Sequence, residues 1–349
     1  MANDSHHGNE ASEQLSLKGE PLPFFSEAVN DPIGTTPKLR AKSIRRTMSI
    51  DARWPSGIDG PTQYLGRCRD VFNNTASSDL EILDQATVDV VCNGREIRKI
   101  AATPVPPLLQ DLVGVRAGGH MRSVLASTLA EEKQTGSPLY LLLDDLAGTT
   151  LVARWCFSQW PESDPTYSTA GVPPRNMEGV CIGFRRGASG LAPSGRVKPS
   201  QNTSRVVPLT NPAEPSGWHE FADFHGINFR RARRIDIWRE GERLRVESHF
   251  QDSASSPNGE TRIAIHEYLL EAQIDLQGRL ASVAARPGTL PFPECRAAPT
   301  NLHALIGIPA SELREVVLEK LSLKHGCTHL NDMMRSLAEV PVLEKFLLK

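Results

Sequence analysis

The stretch Arg230–Asp236 reads RRARRID, and it repeats the pattern RRxxxID of Arg45–Asp51, which reads RRTMSID. A tryptophan follows closely in both places, Trp238 in the second half of the chain and Trp54 in the first. Four further pairs of segments match in the same order, at separations of about 182–193 residues. Five matches in one order indicate an internal duplication.

The pattern of each copy favours strands first and helices afterwards. In the first copy, LEILDQATVDVVCNGREIRKIAATP predicts two strands joined at Asn93-Gly94, which is a preferred dipeptide of tight hairpins. The spacing of apolar residues then becomes helical over 107–132. We therefore expect an α+β fold of two tandem copies, each an antiparallel sheet followed by helices. The copies should be related by a pseudo-two-fold axis and packed face to face, like a fused homodimer.

Composition divides the chain into four parts. Residues 1–40 are polar and lack periodicity, which predicts a flexible N-terminal arm. Residues 41–157 form the first repeat, and residues 229–349 form the second. Between them, residues 158–228 are rich in Pro and Gly and predict a crossover between the repeats.

Charge and motifs exclude several classes of protein. The 349 residues include 39 basic and 41 acidic ones, a balance that argues against nucleic acid as a partner. No apolar run has the length of a membrane span, and the N-terminus does not read as a secretory signal. The six scattered cysteines contain no CxxC pair and predict reduced thiols in the cytoplasm. Dinucleotide, phosphate-loop, GxSxG and HExxH motifs are absent from the sequence.

The two copies differ at residues that can carry chemistry. The second copy has histidine, cysteine or glutamate at several places where the first has mostly other residue types, such as Leu139 and Ser137. We therefore expect the second copy to hold the site and the first to be scaffold. Ordinary divergence of a duplicated copy is the alternative. The residues concerned are His249, His266, Glu267, Cys295, Cys327 and His329.

The segment GCTHLNDMMRSLAEV predicts a helix that begins near His329 and is capped by Thr328. Cys327 would then precede the helix N-terminus, where the dipole lowers a thiol pKa. This position predicts Cys327 as a nucleophile or ligand, with His329 and His266 as acid/base groups. A buried structural cysteine beside a capping histidine is the alternative. In a strand of period two, His266 and Glu267 face opposite sides.

Binding roles are predicted less specifically. A metal site could use His266, Cys295, Cys327 and His329, but their spacings match no recognised zinc pattern, so the cofactor stays open between none and a divalent metal. The basic run at 230–234 suits an anionic ligand, and a solvated edge strand is the alternative. The expected substrate-binding residues are His249, Asp252, Trp238, Glu267, Cys295, Arg230 and Arg234.

The motifs RRIDIW, HFQDS, IHEY, LPFPEC and GCTHLNDMMRSLAEV resemble the bacterial family known as domain of unknown function 2889. The resemblance covers roughly residues 41–157 and 229–343 and is strongest after Arg230. Short members are similar to the second copy alone, have His-Asp in place of His266-Glu267, and share the closing Cys-Thr-His-Leu. The resemblance implies no activity. It does add weight to the four candidate metal ligands, which are His266, Cys295, Cys327 and His329.

These observations predict an intracellular enzyme of small-molecule catabolism, of lyase or hydrolase type. Its substrate would be a hydrophobic or aromatic acid, or the CoA thioester of one. A non-catalytic binding or assembly subunit of an enzyme complex is the alternative, because no strong catalytic motif is present. We expect a small-molecule partner, no nucleic acid and no membrane, in a pseudo-dimeric monomer or a homodimer.

Overall fold

One antiparallel sheet of nine strands runs through both halves of the chain. The structure is a computed structural model, and it describes residues 29–75, 80–165, 167, 176–200 and 202–348. Helices cover one face of the sheet, so the α+β class is confirmed. The strands are β1 (Ser43–Arg53), β2 (Thr62–Asn73), β3 (Glu81–Asn93), β4 (Glu96–Thr103), β5 (Ser204–Arg205), β6 (Phe229–Glu240), β7 (Arg243–Ser255), β8 (Arg262–Ile274) and β9 (Leu280–Pro287).

The strand order is β4-β3-β2-β1-β6-β7-β8-β5, and β9 also pairs with β8. Two meanders of four strands, which we call the first half-sheet (β1–β4) and the second half-sheet (β6–β9), therefore meet edge to edge. The expected face-to-face packing is wrong, because backbone hydrogen bonds between β1 and β6 make the sheet continuous. Such a join leaves neither meander with an open edge at its first strand.

Reciprocal ion pairs hold the join between β1 and β6. Arg45 Nε lies 2.7 Å from Asp236 Oδ1, and Arg230 Nε lies 2.6 Å from Asp51 Oδ1. Each arginine begins, and each aspartate ends, one of the two RRxxxID stretches. The repeated pattern thus supplies both partners of both pairs, and a buried charge needs such a partner.

The Asn93-Gly94 hairpin is confirmed. It joins β3 to β4, and Gly94 has a φ of +59°, in the left-handed region that glycine adopts without strain.

The helical layer lies on the face of the sheet that carries Arg46, Arg231 and Arg233. Among the described residues the α-helices are α1 (Gly119–Thr128), α2 (Ala130–Gln134), α3 (Pro138–Val152), α4 (Leu313–Lys320), α5 (Thr328–Arg335) and α6 (Val340–Glu344). The described 3₁₀ segments are Leu109–Leu112, Ala153–Gln159, Ile182–Phe184, Pro215–Gly217, Pro293–Leu305, Ala310–Glu312, Leu323–His325, Ser336–Glu339 and Lys345–Leu348.

Buried arginines connect the sheet to this layer. Arg46 binds both oxygens of Asp70 with two hydrogen bonds of 2.6 Å, and it also reaches Glu339. Arg231 binds both oxygens of Asp252 at 2.8 and 2.9 Å. The idea of a solvated edge strand at 230–234 is therefore wrong, because β6 is central in the sheet and its arginines are paired inside the protein.

The opposite face of the sheet is covered by chain outside the strands. Ile33 N donates to Glu267 Oε2 at 2.8 Å, and His219 bonds Thr47 and Ser49 on β1. The part of the expected flexible arm that the structure describes, residues 29–40, is therefore packed on the sheet, while residues 1–28 lie outside the described residues.

In the described part of the chain, no helix has the length and apolar character that crossing a membrane requires.

Candidate functional site

A β-bulge places the first two residues of the site. The register between β7 and β8 shifts just after Asp252, and Asp252 stands directly opposite His266. Bulges re-aim side chains and are common beside active sites. Both residues are buried on the helix-covered face, at 0% and 3% exposure.

Helix α5 supplies the third residue. Cys327 is its N-cap residue and makes no side-chain capping bond, so the predicted cap at Thr328 is wrong. The second helical residue is His329, whose ring stacks on the ring of His266 with centroids 3.7 Å apart and planes at 19°. The sequence thus brings a strand histidine and a helix histidine together over Asp252.

The three side chains converge on one carboxylate oxygen. Asp252 Oδ2 lies 3.7 Å from His266 Nδ1 and 3.4 Å from His329 Nε2. One ligand-type atom of each residue lies within 4.8 Å of the other two. Both of these imidazole nitrogens are buried and have no hydrogen-bond partner. Buried polar atoms are nearly always bonded, so an unbonded pair beside one carboxylate oxygen makes this cluster the candidate site.

Burial sets the charge state of the cluster. It lowers the pKa of His266 and of His329 well below the usual value, and the nearby Arg231 lowers both further. Both rings are therefore neutral at pH 7 and offer lone pairs. Burial also raises the pKa of Asp252, which Arg231 opposes by charge and hydrogen bonding.

A small apolar cavity lies beside the cluster. The space open to the centre of a water-sized sphere is about 50 Å³, enough for a few waters or a small apolar group. The wall includes both histidines, Cys327, Cys295 and Thr328. Its apolar part comes from Leu151, Val152, Trp155, Met177, Val180, Ile182, Phe184, Val197, Pro291 and Phe292.

The predicted cysteines line this cavity but differ from expectation in their chemistry. Cys327 Sγ lies 3.7 Å from His329 Nδ1, and Cys295 lies on the cavity wall. Burial raises the pKa of both thiols, so the thiolate that the helix N-terminus predicted for Cys327 is not favoured. Neither sulfur belongs to the converging group of ligand atoms. The four residues predicted for a metal thus meet around one cavity, but Asp252 stands where a cysteine was expected.

The other predicted binding residues lie elsewhere. His249 Nε2 is 3.1 Å from Glu267 Oε1, and this pair lies on the face opposite His266, as the strand period predicts. Arg230 and Arg234 are paired with carboxylates on that same face. Trp238 lies under the guanidinium of Arg40, at 4.5 Å. The structure does not bring these five predicted residues to the cavity.

Two parts of the cavity wall come from segments that the sequence patterns did not assign to the site. Trp155 comes from the first half of the chain, and its ring lies 5.3 Å from the ring of His266. The crossover supplies Cys181 to Phe184, and a Cβ on Gly183 would lie 2.7 Å from Cys295 Sγ. The ordered sequence island EGVCIGFRRG was the available signal, because it differs from the Pro-rich stretches around it.

The arrangement offers two neutral imidazoles and a carboxylate at the wall of an apolar cavity. Such groups hold a cation, orient water or act on a polar bond of a bound molecule. Apolar walls around them exclude bulk water and strengthen electrostatic interactions with whatever binds.

Comparison with known proteins gives one match. Residues 229–343 match the family model described as "Protein of unknown function (DUF2889)". No curated protein and no solved structure matches the chain. The matched range holds Asp252, His266, Cys327 and His329 and leaves out the first half-sheet. The comparison therefore supports the DUF2889 family for residues 229–343.

Proposed function

We propose that the chain is an enzyme of small-molecule catabolism, of lyase or hydrolase type, with its reacting centre at Asp252, His266 and His329. One observation carries the proposal: two buried, unbonded imidazole nitrogens face a single carboxylate oxygen at the wall of an apolar cavity. An unbonded polar group in a buried position is costly unless a bound molecule or ion satisfies it, and two such nitrogens beside one carboxylate support a binding or catalytic role for this cluster.

The cavity wall favours a substrate with an apolar portion. Trp155, Phe184 and Phe292 contribute aromatic surface, and aliphatic side chains fill most of the rest. We propose a hydrophobic or aromatic acid, or its CoA thioester, whose apolar end enters the cavity. The carboxyl or thioester group of this substrate then faces Asp252, His266 and His329. There the two neutral imidazoles and the Asp252 carboxylate act on the bond that breaks. The cavity is small, so it holds only the apolar end of the molecule.

Cys327 has a positioning role in this proposal. Its sulfur lies 3.7 Å from His329 Nδ1, which leaves the other nitrogen of that ring to face Asp252. A neutral imidazole carries one N–H, and the sulfur is an acceptor for it. In this proposal Nδ1 donates its N–H to the Cys327 sulfur, and the free lone pair is then on Nε2, the nitrogen that faces Asp252.

We also infer that the two half-sheets arose by duplication and that only the second acquired the site. The reciprocal ion pairs Arg45–Asp236 and Arg230–Asp51 support this inference. The bidentate pairs Arg46–Asp70 and Arg231–Asp252, which occupy matching places in the two half-sheets, support it as well. The chain would then be a pseudo-dimeric monomer, with a homodimer as the other outcome of a mass measurement. We propose the cytoplasm as its location, because all six cysteines are free thiols.

A conversion screen tests the proposed function. Purified chain is incubated with a panel of aromatic and aliphatic acids and their CoA thioesters, and products are read by mass spectrometry. Hydrolysis adds the elements of water to the products, whereas a lyase reaction divides the substrate without them. We expect conversion of a member with an apolar end, lost in His266→Asn and His329→Asn and kept in His120→Asn, an exposed histidine.

Binding to the cavity is tested separately. Val180→Trp fills the cavity, and Val113→Trp places the same side chain at a surface position that is 44% exposed. We expect only the first change to abolish conversion. Conversion that survives both histidine changes would contradict the site, and binding without any conversion would favour a non-catalytic subunit.

A further inference from the structure

We infer that Asp252, His266 and His329 form a binding site for one divalent first-row transition metal ion. This inference concerns what the cluster binds, and it holds whether or not the chain is an enzyme. The second half-sheet carries the site, and the first half-sheet does not.

The distances fit ligands of a single ion. Two ligand atoms that each lie about 2.1 Å from an ion are separated by about 3.0 Å at a right angle and about 3.4 Å at a tetrahedral angle. Asp252 Oδ2 lies 3.4 Å from His329 Nε2 and 3.7 Å from His266 Nδ1. The His329 distance equals the tetrahedral value, the His266 distance is 0.3 Å longer, and the two nitrogens lie within 4.8 Å of each other.

The same two nitrogens are those without hydrogen bonds. His266 and His329 are 3% and 7% exposed, and each leaves unbonded the one nitrogen that faces Asp252. A nitrogen that accepted a hydrogen bond from the protein would be unavailable to an ion. Here two unbonded nitrogens lie beside one carboxylate oxygen, and a cation bound among them would satisfy all three atoms once one ring has turned.

Neighbouring groups orient the ligands as metal sites require. Ligating imidazoles usually give their second nitrogen to an acceptor, and His329 Nδ1 lies 3.7 Å from Cys327 Sγ. Ligating carboxylates are likewise held by other groups, and Arg231 binds both oxygens of Asp252. Arg231 also lies 3.4 Å from Asp332 Oδ2, which offsets the positive charge of the guanidinium beside a cation.

The ligand types select the class of ion. Imidazole nitrogen suits zinc, iron, cobalt, nickel and copper, whereas magnesium and calcium prefer oxygen ligands. Three protein ligands leave at least one position open, and the histidines line the apolar cavity. Structural zinc sites close all four positions with protein ligands, so this arrangement suits an ion that also binds water or a small molecule.

Coordination must also separate the stacked rings. The lone pair of an imidazole lies in the ring plane, and two planes at 19° with centroids 3.7 Å apart do not meet at an ion between them. One ring has to rotate when the ion binds. His329, at the first turn of α5 and beside the cavity, has space on its cavity side.

Metal titration tests the inference. The untagged full-length chain is freed of metal with a chelator and titrated with Co²⁺ and then with Zn²⁺. The amount of bound metal per chain is measured by elemental mass spectrometry. We expect one equivalent per chain, with absorption bands of nitrogen- and oxygen-coordinated Co²⁺. Binding should weaken at least about 10-fold in His266→Asn, His329→Asn and Asp252→Asn.

Two control variants match these changes. Asp70→Asn disrupts the bidentate ion pair with Arg46 in the first half-sheet. Asp252→Asn disrupts the corresponding pair with Arg231 in the second half-sheet. His249→Asn removes a buried histidine from the opposite face of the same strand. Both controls should keep the full equivalent of metal. Loss of metal in Asp70→Asn to the same degree, or binding that survives both changes in the cluster histidines, would overturn the inference.

A second measurement needs no variant. The nitrogen-15 spectrum of the wild-type imidazoles reports which ring nitrogens bind Zn²⁺. We expect shifts of metal-bound nitrogen at His266 Nδ1 and His329 Nε2 only. Unchanged shifts of both, with Zn²⁺ in excess, would contradict the site even if the variants failed to fold.

Discussion

The two half-sheets share one arrangement at their centres and differ in what stands opposite it. In the first, Asp70 is bound by Arg46 and lies opposite Asp84, with a bulge directly after Asp70. In the second, Asp252 is bound by Arg231 and lies opposite His266, with a bulge directly after Asp252.

The helix above the sheet differs in the same way. Counted from the N-cap, the second helical residue is Leu139 in α3 and His329 in α5. Asp84 is also exposed, whereas His266 is buried. An arginine-bound aspartate beside a bulge is therefore a structural device of both halves. The second half adds two imidazoles and a cavity to this device, and these additions make its candidate site.

The largest expected effect concerns the device that the halves share. Arg231→Ala and Arg46→Ala each leave one buried aspartate, Asp252 or Asp70, without the arginine that binds both its oxygens, so each should lower the free energy of unfolding by about 3–5 kcal/mol. Urea denaturation measures this. Arg239→Ala, which breaks a more exposed pair with Glu344, should cost about 0–1 kcal/mol. Equal, small losses in all three would show that the shared pairs are not structural.

A smaller effect on stability should distinguish the halves at the position four residues before Asp70 and Asp252. This position is Gly66 in the first half-sheet and Ser248 in the second. A Cβ on Gly66 would lie 2.6 Å from Val88 Cγ2 and 3.0 Å from Leu142 Cδ2. Gly66→Ala should therefore destabilise the protein by about 1–3 kcal/mol, because Val88 on β3 and Leu142 on α3 both have to shift. A thermal or urea midpoint unchanged from wild type would contradict this close approach.

The pH dependence of stability should reveal a buried histidine whose two ring nitrogens are both hydrogen-bonded, unlike those of His266 and His329. His219 is bonded at both ring nitrogens, to Thr47 and Ser49, and burial lowers its pKa to about 3, helped by nearby arginines. Its folded pKa is below the unfolded one, so its contribution is present above about pH 6.5 and is lost as pH falls towards 3. The difference in unfolding free energy between wild type and His219→Gln should fall by about 1 kcal/mol from pH 6.5 to 5.5. A difference independent of pH would contradict the buried neutral ring.

The smallest effect is expected at the counterpart of Gly66. Ser248 is buried, and its hydroxyl has no hydrogen-bond partner. Ser248→Ala removes a polar atom that gains nothing from burial, so the free energy of unfolding should stay within about 1 kcal/mol of wild type or rise. A larger loss in urea denaturation would show that the hydroxyl has a partner.

Local sequence rules predicted the parts of the fold that depend on neighbours in the chain. The Asn93-Gly94 turn, the helical stretch within 107–132 and the opposite faces of His266 and Glu267 follow from turn chemistry and periodicity. The edge-to-edge join was not predicted, because the same RRxxxID pattern suits any two-fold contact. Reciprocal pairing of Arg45 with Asp236 becomes visible only when β1 and β6 are adjacent.

The candidate site was predicted in part for the same reason. Cys327, His329, His266 and Cys295 do meet around one cavity. Asp252 was assigned only to substrate binding, because the bulge that turns it towards His266 leaves no periodic signal. The thiolate expected at Cys327 fails because burial outweighs the helix N-terminus, and burial depends on Trp155 and on the crossover.

A crystal structure of the chain grown with Co²⁺, with an anomalous difference map, tests the central claim most directly. We expect one strong peak about 2.0–2.2 Å from Asp252 Oδ2, His266 Nδ1 and His329 Nε2, unstacked imidazole rings, and no peak between Asp70 and Asp84. No peak at the cluster with Co²⁺ in excess, or an equal peak in the first half-sheet, would contradict it.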